Sequence, residues 1–157
     1  MSDDRQMAET GSGRTQRGAG AAIPDRGVIR LRVRYCECDP MGYVHHASYL
    51  PWLEMGRTEI LREAGRSYRA LEEAGVFLVI VKLDCRFRRP GRYDDLIEVR
   101  TSVTGGSRVK IEHAYEVVRV GEGSAGDEVL MAATSTLACV DGQGRPRELP
   151  EWLARRR

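Results

Sequence analysis

Between Val28 and Tyr35 the chain alternates. Ile29, Leu31, Val33 and Tyr35 fall on one side and Arg30, Arg32 and Arg34 on the other, which predicts a half-buried strand with a solvated arginine face. The period then lengthens. Leu50, Leu53, Ile60, Leu61 and Ala64 recur at helical spacing and Gly65 supplies a stop, predicting a helix from about Ala47–Tyr49 to Ala64. Gly56 lies inside it, where glycine costs about 1 kcal/mol relative to alanine, so the helix is expected to pack closely against another backbone there. A shorter helix fits Ser67 to Ala74, capped by Ser67 and stopped by Gly75. The period then returns to two. Val76–Val81 is a continuous apolar run, extended in alternation by Leu83, Cys85 and Phe87. Further strands are predicted around Ile97–Val103, Val109–Val117 and Val129–Cys139, separated by the Gly105-Gly106 turn and a loop over Gly121–Gly126. Hairpin-length connections predict that the last four strands are antiparallel. One long helix must then cover one face of the sheet, an α+β arrangement whose strand order the residues leave open.

Composition sets bounds on this picture. The chain has 157 residues and a net charge of +2, one domain's worth with no strong case for nucleic acid. Residues 1–26 are polar, glycine-rich and without period, so a disordered tail is expected there and a single folded domain over 27–157. Ile23 and Pro24 are the only anchors the tail offers. No apolar run approaches the roughly 18 residues of a membrane span, and the N-terminus lacks the apolar core of a signal peptide. Cys36, Cys38, Cys85 and Cys139 are then expected to be reduced thiols, and the cytoplasm is the expected location.

The chemistry concentrates between the first strand and the long helix. Asp39-Pro40-Met41-Gly42 has the residue order of a type I turn. Ser48 can cap the helix, and Pro51 is tolerated only in a first turn. The unpaired amides of a helix start, with the positive end of its dipole, are thus expected just beyond His46. A carboxylate followed by such an end can attack a carbonyl, or activate water against it, while the amides near His46 and Ala47 hold the oxyanion. The ordinary alternative is that Asp39 only forms the turn and His46 only bonds to backbone. Cys36, Glu37, Cys38, Asp39, His45 and His46 also admit a metal reading, but structural zinc sites usually show C-x₂₋₄-C with a second ligand pair, and this spacing differs. No metal is expected. His113 lies on a strand and is expected to be structural.

The stretch Asp39-Pro40-Met41-Gly42-Tyr43-Val44, followed by His46-Ala47-Ser48-Tyr49, resembles the signature of the 4-hydroxybenzoyl-CoA thioesterase family, nearest to the bacterial short acyl-CoA thioesterases of the Tol-Pal-associated type. Glu54 with Arg57-Thr58-Glu59, Arg89-Pro90 with Asp94-Asp95, and Cys139-Val140-Asp141 extend the resemblance, which spans about Val28 to Pro150. It implies a hotdog fold, a curved antiparallel five-stranded sheet wrapped around one long central helix. It implies hydrolysis of a small or medium acyl-CoA, with coenzyme A as part of the substrate and no further cofactor. A non-catalytic acyl-thioester-binding module and an acyl carrier protein thioesterase are the alternatives. Asp39 would be nucleophile or general base, and His46 would orient it or the thioester. Glu54 and Tyr35 are secondary candidates. Arg89, in an arginine cluster around Pro90, and Ser107 with Arg108 after the glycine turn would meet coenzyme A. Relatives join sheets edge to edge, so a homodimer or homotetramer is expected.

Overall fold

The computed structural model describes residues 23–154, apart from residue 122. Five strands form one antiparallel sheet: β1 (Arg26–Arg32), β2 (Phe77–Phe87), β3 (Leu96–Gly106), β4 (Lys110–Arg119) and β5 (Glu128–Val140). Their spatial order is β1-β3-β4-β5-β2. The long helix α1 (Tyr49–Glu63) follows β1, and the short helix α2 (Tyr68–Glu73) follows α1. This is the five-stranded hotdog arrangement that the resemblance implied.

Two expectations about connections change. The β3–β4 and β4–β5 links are hairpins, but β2 pairs with β5, so the β2–β3 connection crosses the sheet rather than turning back. The alternation beginning at Val28 does not continue as strand to Tyr35 either. Residues Tyr35–Glu37 form a 3-10 turn that lifts the chain off the sheet. Packing also begins earlier than expected, since Ile23 is buried and β1 starts at Arg26. The rest of the expected tail, residues 1–22, lies outside the described residues.

Helix α1 buries Tyr49, Trp52, Leu53, Gly56, Arg57, Ile60 and Leu61, one stripe at i, i+3, i+4 spacing. Leu50, expected on that stripe, sits at its flank and is exposed. The two halves of the stripe enter different clusters. Tyr49, Trp52 and Leu53 pack with Val99, Val117 and Met131. Ile60 and Leu61 pack with Ile111, Leu137, Leu71 and Leu153. Between them Gly56 lets the helix approach β3. A Cβ there would fall inside contact distance of the Thr101 hydroxyl and 3.3 Å from Val99 Cγ1, so the close neighbours are side chains, not the backbone the sequence suggested.

His113 lies at this level, 5 % exposed, with its ring stacked on Tyr115 at 5.9 Å. Burial, and then the Arg57 guanidinium across on α1, push its imidazole down from 6.5 to about 4. Between these values the unfolded chain binds a proton that the folded chain does not, so stability rises with pH across this window. The gap from 6.5 to about 4 corresponds to about 3 kcal/mol. Folding stability should therefore be full above pH 6.5 and fall as pH drops toward 4. Denaturant unfolding of wild type and His113→Asn at pH 5 and 7.5 measures this, and the variant should lose most of the difference.

Candidate active site

The Asp39 turn is built by a two-residue tier of backbone pairing. Cys38 and Val44 form an isolated antiparallel bridge, and the Asp39 amide donates to Tyr43 O at 2.8 Å. The Gly42 amide donates to Asp39 O at 2.9 Å, closing the expected turn, and Gly42 takes φ +78°. One carboxylate oxygen of Asp39 works for the loop. Oδ1 accepts from the Met41 amide at 2.9 Å and from Tyr43 N at 3.4 Å. Oδ2 has no such bond among the described residues, so the turn-forming and chemical roles divide between the two oxygens.

The helix begins differently from the expectation. Ser48 is already helical, with φ −69° and ψ −22°, and makes no side-chain cap. Its hydroxyl donates instead to Glu37 O at 3.1 Å. The chain enters α1 through a 3-10 turn over His46–Ser48, and His45 is the cap, its Nδ1 accepting the Ala47 amide at 3.2 Å. Of the two amides proposed for an oxyanion, Ala47's therefore already has an acceptor, while His46's is not held by His45. The His46 ring stacks on His45 with centroids 4.1 Å apart, and no hydrogen bond joins it to Asp39 among the described residues.

Glu37 ties this loop to the helix. It is 6 % exposed. Its carboxylate accepts from Arg34 Nη2 at 2.8 Å, the Arg34 amide at 2.7 Å and Trp52 Nε1 at 3.0 Å. Its carbonyl accepts the His45 amide at 2.8 Å as well as the Ser48 hydroxyl. Burial pushes the carboxyl up, but the bonds from Arg34 and Trp52 outweigh it and hold it below its ordinary value. Nothing local in the sequence marks this role. Trp52 and Glu37 are partners only because the 3-10 turn folds Glu37 inward, and the acidic run around Asp39 hides which carboxylate is buried.

The other predicted residues scatter. Tyr35 is 82 % exposed and meets Tyr93 edge-on at 5.7 Å. Glu54 is exposed on the second turn of α1 and accepts from Arg57 Nη2 at 3.0 Å. Arg89 lies near Glu128, Nε to Oε1 3.4 Å, and Arg108 pairs with Glu148. Ser107 Oγ accepts the Val109 amide at 3.3 Å. Two hydrogen bonds place the basic segments along β5: Arg88 N donates to Leu130 O, and Cys139 N donates to Val109 O. That puts them about 30 Å apart at a strand's rise per residue, so one chain does not bring Arg89 and Arg108 onto one nucleotide. The Arg89 segment is the one beside Asp39. Val44 N donates to Gly91 O at 2.9 Å, and the Arg92 guanidinium covers the Tyr43 ring at 4.8 Å. Among the described residues no cluster of three His, Cys, Asp or Glu could hold a metal ion. No helix among them is long and apolar enough to cross a membrane.

Residues 33–156 match the thioesterase-like superfamily. The chain belongs to that superfamily. It is 33% identical over 124 residues to the acyl-CoA thioester hydrolase YbgC of Escherichia coli O6:H1, covering 78% of this chain and 89% of that one. A crystal structure of the hypothetical protein TT1821 from Thermus thermophilus is 36% identical with a TM-score of 0.71, over 79% of this chain and 91% of that one. The fold alone is shared with a 4-hydroxybenzoyl-CoA thioesterase crystallised as a mutant in complex with 4-hydroxybenzoyl-CoA. That likeness has a TM-score of 0.74 at 21% identity, over 82% of this chain and 95% of that one. In this chain the start of α1 is held by Glu37, through Trp52 on one side and His45 and Ser48 on the other.

Replacing Glu37 by Gln keeps the shape and removes the charge. Charged hydrogen bonds of this kind are worth about 1.5–3 kcal/mol, so the variant should lose roughly that much stability at pH 7. Because the folded carboxyl sits below its ordinary 4.5, the wild-type advantage should be full above that pH and lost as pH falls below it. Urea unfolding at pH 7 and pH 3.5 checks both points, and an equal difference at the two pH values would refute the assignment.

Proposed function

We propose that this chain is an acyl-CoA thioesterase that hydrolyses a small or medium acyl thioester to the free acid and coenzyme A. The observation that carries the reading is the Asp39 carboxylate. It stands on a closed turn with Oδ1 spent on the loop and Oδ2 free of loop bonds, immediately before a helix start. Carboxylates as a class are ionised at neutral pH without special tuning. A thiolate leaves without much proton assistance. The chemical demand is then to deliver the nucleophile and to stabilise the oxyanion.

Two routes fit. Asp39 Oδ2 takes a proton from water as it attacks the thioester carbon, or attacks that carbon itself to give an anhydride that water opens. In the first route the tetrahedral oxyanion collapses with loss of the coenzyme A thiolate and leaves the carboxylic acid. In the second it collapses with loss of the thiolate to the anhydride, which water opens to the carboxylic acid and the regenerated Asp39 carboxylate. The His46 amide, at the positive end of α1, is the donor we assign to the oxyanion, and one such donor is worth about 10²–10³ in rate. Ala47's amide joins it only when released by His45. The acyl group enters the apolar pocket beside the first turns of α1, and the Arg89 segment, adjoining the Asp39 turn, faces the coenzyme A phosphates.

We also propose a homodimer formed through β2, with pairing of dimers as a further step. The sheet has two edges. β1 is 7 residues long and lines its face with arginines, a composition that discourages strand pairing. β2 is 11 residues long and exposes Val79, Ile80, Val81, Leu83 and Phe87. Unpaired edges with apolar side chains invite a second copy.

Two measurements test these readings. Asp39→Asn keeps an acceptor for the Met41 amide and removes the charge. The variant should fold normally and lose at least about 10²-fold in kcat, the range of a general base. Near wild-type hydrolysis by the folded variant would move the chemistry elsewhere, with Glu54 next in line. For assembly, sedimentation at micromolar concentration should give a dimer or larger species for the wild type. A Val79→Lys, Val81→Lys double variant should sediment as a monomer.

A further inference from the structure

The boundary between the two core clusters is a polar band. Thr101 on β3, His113 and Tyr115 on β4 and Ser135 on β5 all face α1 at the level of Gly56 and Arg57. The register sets Thr101 opposite Tyr115 and His113 opposite Ser135. All four are buried, and Arg57 is 7 % exposed. Tyr115 and Ser135 share a hydrogen bond of 2.8 Å. Arg57 pairs with Glu54, whose own side chain is 64 % exposed. Burial raises the Tyr68 and Tyr115 hydroxyls; the Arg57 charge draws Tyr68 back, and the Ser135 hydrogen bond and then the Arg57 charge draw Tyr115 back.

The band is incompletely satisfied. Among the described residues Arg57 Nε, His113 Nδ1 and Thr101 Oγ1 are buried without a hydrogen-bond partner. More than nine in ten buried polar groups in folded proteins have one, and each exception calls for a reason. The three atoms are themselves sealed from solvent, but Arg57 also lines a cavity. A pocket of about 290 Å³ runs between α1 and the β2 edge and reaches the band at Arg57, Tyr115 and Ser135. Leu53, Ile80 and Leu83 make its walls apolar. Apolar walls with a few convergent polar groups at one end are the pattern of a ligand site, and this volume lies just under the usual range of about 300–1,000 Å³.

We infer that this pocket receives a short acyl chain bearing a neutral acceptor oxygen, a hydroxyl or oxo group, which meets the polar end formed by Arg57 and the Tyr115–Ser135 pair. The inference rests on the thioesterase reading for the identity of the chain's carrier. A neutral oxygen is favoured over a second carboxylate because Glu54 already sits on the guanidinium, and a further anion would meet it at close range. His113, held neutral by burial and by Arg57, adds no competing charge.

The test uses the full chain with hexanoyl-CoA and its 3-, 4-, 5- and 6-hydroxy derivatives. kcat/KM is measured for each, and dissociation constants for the matching thioethers, which cannot be hydrolysed. At one position at least, the hydroxyl should raise kcat/KM tenfold or more over hexanoyl-CoA and tighten thioether binding similarly. Sites built to bond a substrate hydroxyl discriminate strongly against its absence. In Arg57→Met this ratio should fall to within twofold, while Arg57→Lys should keep part of it. Indifference of the wild type to hydroxylation in both readouts, or a tenfold ratio surviving in Arg57→Met, overturns the inference and leaves the band to be served by water. Absence of all hydrolysis together with a preserved thioether preference would defeat the thioesterase reading and uphold this one. Should neither Arg57 variant fold, the two wild-type readouts decide alone.

Discussion

The buried carboxylate of Glu37 is the constraint on which the site depends. A charge removed from water is tolerable only when its hydrogen bonds are supplied by the protein. Here three donors meet it, two from Arg34 and one from Trp52, at 2.7–3.0 Å. Because Trp52 belongs to the core-facing stripe of α1 and Arg34 follows the end of β1 by two residues, satisfying Glu37 fixes the distance between sheet and helix start. The same residue's carbonyl then sets the direction in which the chain enters α1, through His45 and Ser48. The Asp39 turn hangs between these fixed points. Its carboxylate needs only short-range loop bonds to stand in place, which leaves one oxygen uncommitted.

A second constraint runs through the middle of the molecule. The core is two apolar clusters with a polar layer between them, at the level where Gly56 brings α1 against Thr101. An uninterrupted apolar stripe on α1 would give a more stable contact, since buried charge is costly to maintain. Arg57 gives the pocket a polar end, and His113 at the same level is depressed first by its burial and then by the Arg57 charge.

Much of the fold was legible because its signals are local. Alternation marked the sheet strands and the glycines marked the ends of both helices, with Gly65 and Gly75 at φ +73° and +71°. Ser67 caps α2 as its sequence suggests, accepting the Ala70 amide at 3.2 Å. What escaped depends on non-local geometry. The position of β2 at the sheet edge follows from a crossing connection that no residue pattern announces. Ser48 looks like a cap, yet the 3-10 turn before it shifts that duty to His45 by three residues. Glu37 is one acidic residue among several until Trp52 identifies it. The turn over Asp39 to Gly42 was readable because turn preferences and a following helix start are both short-range features. The polar band was not, since its members come from four separate elements.

Turnover of acyl-CoA, as distinct from binding it, is the role we propose for the Asp39 turn and the adjoining helix start. Free coenzyme A thiol, followed with a disulfide reagent while the purified wild-type chain is mixed with a panel of short and medium acyl-CoAs, tests that most directly. Continuous thiol release, far above the rate without protein, is expected for at least one short acyl chain over many equivalents of enzyme. Saturable binding of the same acyl-CoAs with no thiol released above the uncatalysed rate would contradict it, and would make the chain a thioester-binding module.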